Sequence, residues 1–63
     1  MTQKELSYVE DAIGHEEAII KVCNETSKLL EAEELISYIN EEVDKHNTIK
    51  EQLLNLLEEK SNG

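Results

Sequence analysis

The 63-residue chain predicts an all-α fold, an antiparallel two-helix hairpin that pairs with a second copy into a dimeric, ferritin-like four-helix bundle. Three observations predict it. Apolar residues recur in steps of three and four, and no run alternates with period two. The helical phase breaks once, near the middle. The apolar stripe in each half is wider than one neighbouring helix can cover.

Helix 1 is expected over about residues 3–30. Thr2-Gln3-Lys4-Glu5 fits a capping box, where the threonine oxygen and the glutamate carboxylate satisfy free N–H groups. One seam then reads Leu6, Val9, Ile13, Glu16, Ile20, Cys23, Ser27 and Leu30. An adjacent seam reads Tyr8, Ala12, His15, Ile19, Val22, Thr26 and Leu29. The opposite side is polar and carries Gly14, which costs about 1 kcal/mol relative to alanine on an exposed helix face.

The turn is expected over about residues 31–33, although no Gly or Pro marks it. Phase decides. Extending the first seam gives Glu34, Ser37, Glu41 and Asp44, all polar. The apolar series restarts instead at Ile36, Ile39, Val43, His46, Lys50, Leu53 and Leu57, flanked by Leu35, Glu42, Ile49 and Leu56. That jump of two residues is about 200° of rotation, so a straight helix would turn its two apolar halves to opposite sides. Helix 2 is expected over about residues 33–59, with 60–63 as a polar, glycine-ended tail. Residues 1–63 form one domain.

The apolar stripe is interrupted by a polar layer of Glu16, His46, Glu42 and His15. A turn near residue 32 makes positions summing to about 64 level, which sets His46 within about 3 Å axially of Glu16. The plainest role is a hydrogen-bonded, charged pair that fixes register and partner. The sharper role is metal binding, since a dimer would offer Glu16 twice and Glu42/His46 twice. Di-iron bundles use that inventory but with a Glu-x-x-His spacing, and Glu42 and His46 are four apart. No metal or other cofactor is expected. Lys50, on the seam, is expected to reach out to water.

Composition narrows the partners. Fifteen acidic residues against six lysines give a net charge of −9, so binding of nucleic acid or an anionic membrane is not expected. No apolar run approaches the ~18 residues of a spanning helix. One cysteine, Cys23, excludes an internal disulfide, and with no signal-peptide pattern an intracellular, reducing compartment is expected. A Cys23–His nucleophile pair would lack a substrate cleft. The chain is read as a non-enzymatic structural or interaction protein. The alternatives are a small regulator that binds a partner's helices, or the di-metal bundle.

Residues Glu5-Leu6-Ser7-Tyr8-Val9-Glu10-Asp11-Ala12-Ile13-Gly14-His15-Glu16, with Glu34-Leu35 and Lys45-His46, resemble the spore coat protein F family of spore-forming bacteria. The chain departs from that family in having Ala32-Glu33 where an Asp-Pro turn is common. The resemblance implies short ferritin-like helices and a non-enzymatic role. It also implies location in the mother-cell cytoplasm or the spore coat, among other coat or sporulation proteins, and supplies no catalytic residues. Ser7 and Asp11 share only a Ser-x-x-x-Asp spacing with the small Spo-zero-E-type phosphatase hairpins, and do so on the first helix.

Overall fold

A computed structural model describes residues 1–62, with side chains through Lys60. It is an antiparallel hairpin of two helices, α1 (Gln3–Ser27) and α2 (Glu33–Asn62), packed along their length. The Cα extents are 47 × 15 × 11 Å, the shape of two helices side by side. Among the described residues there is no strand, and no helix is long and apolar enough to cross a membrane.

The capping box at the start of α1 is complete. The Glu5 N–H donates to Thr2 Oγ1 (3.0 Å), and the Thr2 N–H donates to Glu5 Oε1 (2.8 Å). Hydrogen bonding to the carboxyl by Thr2, from its backbone N–H foremost and its side chain second, holds Glu5 below its ordinary value.

Helix α1 stops at Ser27, three residues short of the expected end at Leu30. Its last turn holds Asn24, Thr26 and Ser27, side chains that compete for the backbone. The Ser27 hydroxyl donates to the Asn24 carbonyl (2.9 Å), and the Leu29 N–H closes a tight turn onto the Thr26 carbonyl (2.9 Å). Residues 28–32 therefore make the turn, earlier than the expected 31–33. It needs no positive φ, which is why neither Gly nor Pro is required.

Helix α2 begins where Glu33 and Glu34 place negative charge at the positive end of the helix dipole. The Ala32 carbonyl accepts from the Leu35 and Ile36 N–H groups (both 3.1 Å). At the other end, residues 60–62 are helical rather than the expected tail. No breaker precedes Gly63, each added residue gains a hydrogen bond, and Lys60 suits the negative end of the dipole. The expected glycine stop at Gly63 lies outside the described residues.

The two seams meet. Leu6, Val9, Ile20, Cys23 and Leu30 of the α1 side and Ile36, Ile39, Val43, Leu53 and Leu57 of the α2 side are half-buried between the helices. Ile13, at 8% exposure, is the one buried side chain among the described residues. Cys23 is a free thiol on this seam.

Candidate functional site

The flank residues in both helices immediately precede seam residues: 8 before 9, 15 before 16, 19 before 20, 22 before 23 and 29 before 30 in the first half. In the second half, 35 precedes 36, 38 precedes 39, 42 precedes 43, 49 precedes 50 and 56 precedes 57. One residue is about 100° of rotation. In two antiparallel helices, equal steps in the same sense end on the same side of the pair. Both flanks therefore lie on one face of the hairpin. Tyr8 and Val22 of α1 are 61% and 60% exposed there, Ile19, Leu35, Tyr38, Ile49 and Leu56 are exposed as well, and Leu29 in the turn is 83% exposed.

The side chains that follow each seam residue build the opposite face. Glu10, Gly14, Glu17, Lys21, Asn24 and Lys28 face the same way as Ser37, Asn40, Asp44, Asn47 and Glu51, with Leu54 the apolar exception. Glu17, Lys21, Asn24, Lys28, Asn47 and Lys50 line a shallow, open groove there. Lys50 does not simply reach for water as expected. Its Nζ lies 3.4 Å from Glu17 Oε2, bridging the helices over a half-buried stem. The sequence pattern marked Lys50 as an anomaly on the seam, but pairing with Glu17 depends on which side of the seam each residue leaves.

The polar layer forms as the register argument requires. His46 Nδ1 is hydrogen-bonded to Glu16 Oε2 across the hairpin, with both side chains largely shielded from solvent. On the other edge of the ring, His46 Nε2 lies 3.9 Å from Glu42 Oε2, an ion-pair distance too long for a direct hydrogen bond. Lys45 Nζ also approaches Glu42 Oε1, at 3.4 Å. His15 does not join the pair. It precedes Glu16, so it points to the uncovered face and is exposed.

This geometry bears on metal chemistry. Glu16 and Glu42 occupy opposite edges of the imidazole, so one ion bound to a His46 nitrogen could not collect both carboxylates. Among the described residues of one chain, no group of three or more His, Cys, Asp or Glu side chains is placed to hold a metal ion. What the layer can do within one chain is lock register: a slide of one helix by a single turn would separate Glu16 from His46 by about 5 Å.

No protein-family model, curated protein or solved structure matches the chain.

Proposed function

We propose that this chain is a non-enzymatic structural or interaction module that works by self-association, its exposed apolar face closing on a second copy to make a four-helix bundle. The observation that carries the reading is surface area. A compact monomer of 7.2 kDa is expected to expose about 4,100 Å², whereas this hairpin exposes 4972 Å². The excess, roughly 850 Å², is close to the ~800 Å² that each partner contributes to a standard protein interface. A chain this short, with one buried side chain among the described residues, also needs outside help to be stable. Disulfide help within the chain is excluded by the lone Cys23.

Substituting Val22→Glu and Tyr38→Glu on the face tests the reading. Light scattering is expected to report a dimer for the unmodified chain and a monomer for the double variant, with weakened helicity. A variant that stays dimeric would show that another surface associates. A protein other than a second copy, bound stoichiometrically and displacing the dimer, would favour the regulatory alternative.

The resemblance to the coat protein F family supports a spore-coat setting for such a module. Recovery of the chain in the coat fraction of purified spores is the expected result. Its absence there would remove the setting and leave self-association standing.

A further inference from the structure

We infer that the second copy docks with its turn beside this chain's turn, so that each α1 lies antiparallel against the partner's α2. The inference rests on the self-association proposed above and goes on to its geometry. Glu16 and His46 are level, so positions whose numbers total about 62 share a height along the hairpin. By that measure the exposed face divides into three bands. Leu29, Leu35, Tyr38 and Val22 crowd the turn end. Tyr8, Leu56 and Ile49 sit toward the open end. Between them lies a polar belt of His15, Lys45 and Glu42, broken by Ile19.

Two copies can close face to face about a two-fold axis that runs along the helices or across them. An axis along the helices lays each band on its own counterpart at any separation of the faces. Val22 then meets the partner's Tyr38, Tyr8 meets the partner's Leu56, and the polar belts coincide. An axis across the helices stacks the turn end on the open end. Centred at His15, it sets Leu35 over Glu59 and brings two His15 side chains together on the axis. Moved two residues toward the turn, it brings Leu35 level with Leu56 to within one residue but sets Tyr8 over Thr26 and Val22 over Ala12. The first of these placements leaves Leu35 against a carboxylate and the second leaves Tyr8 against a polar side chain, and only an axis along the helices covers both apolar bands with apolar surface. The acidic turns that it brings together are solvent-exposed, where their repulsion is screened.

Dipolar spectroscopy on single nitroxide labels tests this, with Cys23→Ala as background and a label at Glu31→Cys near the turn or Lys4→Cys near the open end. One label per chain reports only distances between copies. Distances below roughly 30 Å at both sites are expected, given helix spacings of 8–10 Å. Distances of about 40–50 Å at residue 31 and about 33–40 Å at residue 4, as an axis across the helices requires at 1.5 Å per residue, would overturn the arrangement while leaving self-association intact. No coupling between copies at either site would instead overturn self-association. Circular dichroism equal to the unmodified chain establishes that the background is folded, and Cys23→Val replaces it where alanine loosens the seam.

Discussion

His46 carries the tightest set of constraints in the molecule, with a carboxylate on each edge of its ring and an apolar seam above and below. Replacing His46 alone by leucine strands Glu16, and replacing Glu16 alone strands His46. Each single change is expected to cost about 1–3 kcal/mol, the penalty for a shielded polar group that loses its partner. Replacing both should cost less than the sum and leave a folded protein, since leucines can fill the layer. Urea unfolding of the four proteins at one concentration gives the coupling; strictly additive effects would contradict a direct pair. This contact was legible in the sequence because level and face both follow from counting. The place of His15 was less so. One residue from Glu16, it belongs to the same layer by height, but the 100° step turns it away, and only the packing of the seams decides which side is covered.

Glu5 gives a residue-level pH response. Its carboxyl titrates lower in the folded chain than in the unfolded one because of its bonds to Thr2. The cap's contribution is therefore fully present above the unfolded carboxylate value and is lost as pH falls through the folded one. The Thr2 amide resonance is expected to titrate with Glu5 at a pH below that of a free glutamate, and Glu5→Gln to abolish the transition. A Thr2 amide that titrates at the ordinary glutamate value would contradict the cap.

At the scale of the element, α1 carries one weak position. Gly14 has ordinary negative φ, lies on the side away from the exposed apolar face, and a Cβ built there meets nothing within 4 Å. Gly14→Ala is expected to stabilise by about 0.5–1 kcal/mol, read as a melting temperature raised by several degrees with the mass in solution unchanged. A lowered melting temperature would show that something approaches that backbone closely. The existence of both helices, the capping box and the break in phase could all be read from spacing. The ends could not. Leu29 and Leu30 continue the apolar rhythm past Ser27, yet local hydrogen bonds among Asn24, Thr26 and Ser27 end the helix first. Ser61 and Asn62 look like a tail by composition, yet nothing before Gly63 stops propagation.

For the whole molecule, surface and charge pull in opposite directions. The apolar face favours association, while a net charge of −9 on each copy opposes it. Added salt screens that repulsion, shortening the Debye length from about 10 Å at 0.1 M to about 3 Å at 1 M. Association is therefore expected to tighten with sodium chloride, as measured by the dilution midpoint of the dimer. Weakening with salt would mean that ion pairs rather than apolar contact join the copies. Sedimentation equilibrium over a range of concentrations is the most direct measurement of all. A mass twice the 7.2 kDa of the chain, with helicity lost as the dimer dissociates on dilution, is the predicted result. A stably folded 7.2 kDa monomer at every concentration would contradict it.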